Sequence, residues 1–250
     1  MAQKIHPLSF RLGTIQVWNS TLQIYGKSFK NYFPIVNNQL ILQNLVKRYL
    51  KLNGFQLNHH EWKMHKNKMF LSLYFSPLFI GKSLNPLILK RLSNLLSKWF
   101  PNRFTLYFYL SPKWSLTSNF LTFYVNYLTE QKLAPKKITT NLCKLLQNQL
   151  SSSKIIHFRF GLIRAELIGF KIRLAGRFDG SNQMAKSFDH TIGTLSLTNL
   201  SSFVEYSNTE IHTKLGTCGV QIWLFFTPQK LINGYYQKNA QPFFSKAKTL

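Results

Sequence analysis

Residues 85–110, NPLILKRLSNLLSKWFPNRFTLYFYL, decide the fold, because they hold a helix and a strand in succession. Asn85 suits a helix cap and Pro86 a first helical position, where a missing N–H costs nothing. Ile88, Leu92, Leu95, Leu96 and Trp99 recur at helical spacing, while Lys90, Arg91, Asn94 and Lys98 face away. Pro101 ends the helix. From Phe104 the period drops from about 3.6 residues to 2. Phe104, Leu106, Phe108 and Leu110 share one face, and Thr105, Tyr107 and Tyr109 share the other.

The preceding segments complete a unit. Ile41, Leu42, Leu45, Val46, Tyr49 and Leu50 predict a helix over residues 38–52, stopped by Gly54. Strands follow over 55–62 and 69–75, with Asn67 and Lys68 at the turn. The order is α-β-β-α-β. Residues 111–119 read as a linker. Beyond it, Ile138, Leu142, Leu145, Leu146 and Leu150 predict a helix over 136–150, and a less regular, helix-permissive stretch runs on to Leu167. Strands are then expected near 170–174 and over 194–200, 203–214 and 220–226. The fold class is therefore α+β, the second half being helices on a mainly antiparallel sheet.

Charge narrows the function. The 250 residues carry 32 Lys plus Arg against 7 Asp plus Glu, a net +25. Residues 1–129 hold 16 basic side chains and one acid, Glu61. A folded chain this basic repels itself unless a polyanion neutralises it. The cations run the whole length with no basic cluster beside an apolar span. The apolar windows 104–110 and 220–226 are far shorter than the ~20 residues of a spanning helix, so nucleic acid is favoured over membrane. Two cysteines without CxxC spacing, Cys143 and Cys218, suggest neither metal nor disulfide framework. Heavy use of Phe, Leu, Asn, Lys, Ile and Tyr suits an A+T-rich coding genome, such as a mitochondrial one.

Enzyme readings fail on spacing. Gly81-Lys82-Ser83 resembles the end of a phosphate-binding loop, but Ser76 stands where its first Gly is required. His60-Glu61 with His65 lacks the four-residue separation of a zinc-protease helix. No catalytic residue and no cofactor is expected. Cations beside rings, as in Lys47-Arg48-Tyr49 and Lys98-Trp99-Phe100, suit phosphates and stacked bases, or simply a solvated face over a core.

Three segments resemble ribosomal protein S-three, the third protein of the small ribosomal subunit. The first is Gln3-Lys4-Ile5-His6-Pro7 with Phe10-Arg11-Leu12-Gly13 and Trp18-Asn19-Ser20. The second is Ile172-Arg173-Leu174-Ala175-Gly176-Arg177-Phe178-Asp179-Gly180, with Ala185-Lys186 following. The third runs from Thr213-Lys214-Leu215-Gly216 through Gly219-Val220 to Trp223. The resemblance implies a type II KH domain followed by an α+β domain. It implies contacts to small-subunit rRNA and mRNA, a place near the channel through which mRNA enters, and the head proteins S-ten and S-fourteen as neighbours. A mitochondrial, organelle-encoded form is favoured over a plastid one. A free-standing KH-type RNA-binding regulator is the alternative.

The expected boundaries are 1–20 for an RNA-contacting arm, 21–115 for the KH-like domain, 116–228 for the C-terminal domain and 229–250 for a basic tail. The family's Gly-x-x-Gly loop falls on Ile80-Gly81-Lys82-Ser83-Leu84, where Leu84 replaces the second glycine. A Cβ there hinders close backbone approach to phosphate. The RNA-binding candidates are Lys4, His6 and Arg11 in the arm, Lys82 in the loop, then Arg159, Arg164, Arg177 and Lys186. Arg159 and Arg164 take the place of the family's basic helix. Gly176 lets the chain turn so that Arg177 can fork onto a phosphate, or hold Asp179 or a carbonyl instead. Gly180, Gly216 and Gly219 are expected at turns.

Overall fold

The computed structural model describes residues 5–20, 29–65, 68–78, 85–99, 104–110, 117–158, 161–177, 184–200 and 202–228. The loop 80–84, most of the expected linker and the tail 229–250 lie outside them.

The first unit is α2 (Phe29–Leu52), β1 (Phe55–His65), β2 (Lys68–Pro77), α3 (Pro86–Trp99) and β3 (Phe104–Leu110). A five-residue helix, α1 (Pro7–Arg11), precedes it. Helix α2 starts nine residues before the expected Asn38 and runs through Pro34. So near the helix start that proline removes one intrahelical hydrogen bond, a small loss against the burial that follows. The sheet order is β1-β2-β3, antiparallel then parallel, with α3 as the crossover. Leu42, Val46, Leu50, Leu92 and Leu96 pack on Trp62, Leu71, Leu73 and Phe75, so both helices cover one face of this sheet.

The second unit is α4 (Ser118–Glu130), α5 (Pro135–Gln147), β4 (Ser153–Phe158), β5 (Gly161–Gly176), β6 (Lys186–Gly193), β7 (Phe203–Thr213) and β8 (Gly216–Pro228). Its sheet runs β4-β5-β8-β7, and β6 pairs with the second half of β5. Every pairing is antiparallel. Leu121, Val125, Ile138, Leu142 and Leu146 meet Leu167, Phe170, Ile172, Val220, Ile222 and Leu224 in its core.

Three expectations are corrected. Where a helix-permissive stretch was expected up to Leu167, Ser153–Phe158 form β4 and β5 starts at Gly161. Ile155 and Leu162 stay 70% and 71% exposed on the face opposite Ile156, so apolar residues on both sides hid the two-residue period. Residues 194–200 form no strand; β6 lies just before them and ends at Gly193. Helix α4 was missed, because its Phe, Tyr, Val and Thr content favours strands. Burial of Phe120, Leu121, Val125 and Leu128 on one face overrides that preference.

The arm ties the units together. Gln16 bridges to the main chain of Phe158, and its side-chain amide donates to the Val204 carbonyl at 2.8 Å. Gln16 thus sits between the two outer strands, β4 and β7. The Trp62 amide donates to the Asn19 carbonyl at 2.7 Å, which fixes the arm to β1. Asn119 of α4 adds a bond from its side-chain amide to the Asn58 carbonyl at 2.6 Å.

Candidate nucleic-acid interface

Helices cover one face of the second sheet, so the alternation of β5 sends Phe170, Ile172 and Leu174 inward and Lys171 and Arg173 outward. Register then builds a row across three strands: Lys171 lies beside Trp223, and Trp223 beside Tyr206. The Lys171 ammonium stands 5.5 Å from the Trp223 ring centre. Trp223 and Tyr206 are 5.2 Å apart, and His6 meets Tyr206 edge-on at 4.8 Å. A cation over an indole contributes about 0.5–1 kcal/mol at an exposed site, which biases Lys171 toward the ring. The next row pairs Asp189, Arg173, Gln221 and Asn208. Arg173 Nε lies 3.5 Å from Asp189 Oδ1, a half-exposed ion pair that leaves the rest of the guanidinium fork available.

The end of β5 gathers two of the expected cations. Gly176 pairs with Lys186, an exposed residue opening β6, and Arg177 follows at once. Gly176 is needed for close approach: a Cβ there would lie 2.6 Å from Cys218 Sγ and 2.8 Å from its Cα. The Arg177 carbonyl accepts the Cys218 thiol at 3.5 Å, and the buried Nε of the partly exposed Arg177 has no hydrogen-bond partner among the described residues. Arg164 is exposed on the first half of β5, opposite Ile155. It therefore stands on a strand, not on the expected basic helix. Lys4, Lys82, Arg159 and Gly180 lie outside the described residues. Gly216 opens β8 at φ +130°, three residues after Thr213, at the tight turn from β7. Gly219 is corrected: it pairs with Ala175 and Glu210 inside β8, away from any turn.

Arg11 is also corrected. It is fully buried, and its guanidinium donates to the carbonyls of Pro7, Ser196, Leu197, Asn199 and Ser202 at 2.8–3.3 Å. Burial lowers its pKa, but a guanidinium stays charged throughout the physiological range. The side chain is spent on the loop after β6 and cannot reach phosphate. His6 caps α1 by accepting the Ser9 amide at 3.4 Å while remaining exposed.

The first sheet carries a different electrostatic centre. Glu61 is bound by Lys63 at 3.0 Å and His59 at 3.5 Å. Burial alone would raise its pKa, but the hydrogen bonds and charges of His59 and Lys63 prevail and hold it at about 2. His60, half-buried toward α2, is lowered to about 4 by burial and by His59. In the unfolded chain both groups bind protons at higher pH, so acid favours unfolding. Stability is expected to fall as pH drops from 6.5 towards 4 through His60, and from 4.5 towards 2 through Glu61. Urea midpoints across that range check this: His60→Leu should flatten the upper step and Glu61→Gln the lower.

A family model for the C-terminal domain of ribosomal protein S3 matches residues 154–224, the strands that build this face. Small ribosomal subunit protein uS3m of Chondrus crispus is 74% identical over 240 residues, covering 96% of this chain and 100% of that protein. The chain belongs to the ribosomal protein S3 family. More distant relatives agree over most of its length. Small ribosomal subunit protein uS3 of Pelagibacter ubique is 26% identical, covering 90% of each chain. Small ribosomal subunit protein uS3c of Staurastrum punctulatum is 25% identical, covering 90% of this chain and 99% of that one. This member of the S3 family is a structural, non-enzymatic protein of the mitochondrial small ribosomal subunit.

Sequence reasoning found the Gly-Arg landmark of this S3 chain but missed Lys171, Arg173, Tyr206 and Trp223 as a group. The outward alternation of Lys171 and Arg173 was legible. Their meeting with Trp223 and Tyr206 depends on strand order, which no local pattern carries.

Proposed function

We propose that the protein holds small-subunit rRNA through the open face and strand ends of its second sheet. The observation that carries this reading is the collection of Arg164, Lys171, Arg173, Arg177 and Lys186 on and beside a face that also presents Trp223 and Tyr206, in a chain of net charge +25. Lysines and arginines neutralise phosphates, and the rings offer contact to unpaired bases. His6 stands at the end of the same row. Lys4, Lys82 and Arg159 complete the proposed contacts.

The first unit is proposed as a type II KH domain, within the boundaries 21–115. Its α-β-β-α-β order, with an antiparallel pair followed by a parallel one, supports this. The arm 1–20, the C-terminal domain 116–228 and the tail 229–250 complete the division. Placement in the subunit head near the channel through which mRNA enters, contact with mRNA, and adjacency to S-ten and S-fourteen follow from the family and belong to the same proposal.

Salt titration of the full chain on rRNA fragments tests the electrostatic core of this reading. If five phosphates are neutralised, affinity should fall on the order of 10²–10³-fold between 50 and 200 mM salt. Replacing Lys171 and Arg173 together by Gln should flatten that slope by about two phosphates' worth. A flat response in the parent chain, or an unchanged slope in the double variant, would contradict the assignment.

A further inference from the structure

Strand β3 closes one side of the first sheet, and among the described residues no strand pairs with it on its far side. Its seven residues, Phe-Thr-Leu-Tyr-Phe-Tyr-Leu, include no charge, proline or glycine. Exposed edges are normally guarded by lysine, proline or a bulge, because unpaired N–H and C=O groups recruit other strands. Here the guards stand only outside the strand, in the sequence positions Pro101 and Arg103 before it and Pro112 and Lys113 after it. Among the described residues the edge is thus open but short.

Side chains add a second observation. Leu106 and Phe108 pack against the helix-covered core, which turns Tyr107 and Tyr109 to the open face, 44% and 45% exposed. Tyr109 stacks on Tyr74 at 4.9 Å and 16°, and Tyr74 lies 5.7 Å from His59. Tyr107 lies parallel to Phe70 at 6.4 Å and 13°. Each exposed tyrosine is therefore braced from the β2 side and presents its other side beyond the edge. Braced aromatic rings give large contact area at little entropic cost.

Charge selects the occupant. Glu61, the one acid among residues 1–129, pairs across the sheet with Ser72, which pairs with Tyr107. With Lys63 beside it, this face is close to neutral on a chain of +25. A phosphate backbone finds little attraction here and an ionised carboxylate against it. A second copy of the chain would bring another +25 into contact. A strand needs neither charge nor phosphate: it takes main-chain hydrogen bonds from the edge and lays alternate side chains on the rings.

We infer that the free edge of β3 docks an extended segment of a partner protein, which adds as a fourth strand and sets apolar side chains against Tyr107 and Tyr109. The ribosomal reading supplies the setting in which this partner is met. The test places a benzoylphenylalanine cross-linker at position 107 of the full chain in assembled mitochondrial small subunits. Cross-links should map to a peptide of another protein, and amides of residues 104–110 should exchange about tenfold or more slower in the subunit than in the free chain. If the probe at Tyr107 blocks assembly, the same probe at exposed Leu110 replaces it. Cross-links to rRNA, to a second copy or to no macromolecule would overturn the inference while leaving ribosomal membership intact, as would unchanged exchange. A chain that never sediments with the subunit would overturn both.

Discussion

Arg11→Leu is expected to destabilise the protein by about 3–5 kcal/mol, because several buried carbonyls lose their donor at about 1–3 kcal/mol each. The arginine donates to five main-chain carbonyls, four of them in residues 196–202. The described residues of that loop form no strand or helix, so their carbonyls depend on a side chain from 185 or more residues away in sequence. Leucine fills the space but leaves the acceptors buried and unmet. Arg11→Lys should recover part of the loss, because an ammonium carries three donors in place of a five-donor fork. Urea unfolding followed by tryptophan fluorescence measures the difference, and proteolysis should nick residues 194–202 first in the leucine variant. A loss below about 1 kcal/mol would mean that water replaces the guanidinium, within the ordinary net worth of a single hydrogen bond.

Gly193→Ala should cost about 2–4 kcal/mol, combining backbone strain with overpacking. The residue sits at φ +82°, and a Cβ there would lie 2.2 Å from the Ile168 carbonyl oxygen and 2.8 Å from Gly169 Cα. Both obstacles are backbone of β5, which cannot rotate away. Gly13→Ala is the control, because φ is nearly the same at +81° and nothing lies within 4 Å of its Cβ. It should cost about 1 kcal/mol, the conformational part alone. Equal losses in the two variants would show that contact with Ile168 adds nothing. Hydrogen exchange should localise the Gly193→Ala damage to β6, whose pairing with β5 begins at Gly169 and Gly193.

How far the sequence could be read differs between the two units. In the first, helical stripes and alternating strands were clean, because the aliphatic residues of each element gather on the face that meets the shared core. Residues 85–110 show both periods, and α3 and β3 lie where they were expected. In the second, β4 and β5 carry apolar residues on both faces, and α4 is built from residues that favour strands. Local pattern there misreports what packing enforces. Gly176 was legible as a necessary glycine, though its reason is the approach of Cys218 from β8 rather than a turn.

The interface follows the same division. Composition alone pointed to a polyanionic partner, since a net +25 repels itself in any fold. Three motifs in order carried the resemblance to the family, which the 74% identity to the Chondrus crispus protein shows. Tertiary structure decided which cations stand on the surface. It withdrew Arg11 into the interior and placed Lys171 and Arg173 beside Trp223 and Gln221. The physical reason is that a charge count is a property of the chain. Whether an arginine faces phosphate or a carbonyl depends on which distant strands fold over it.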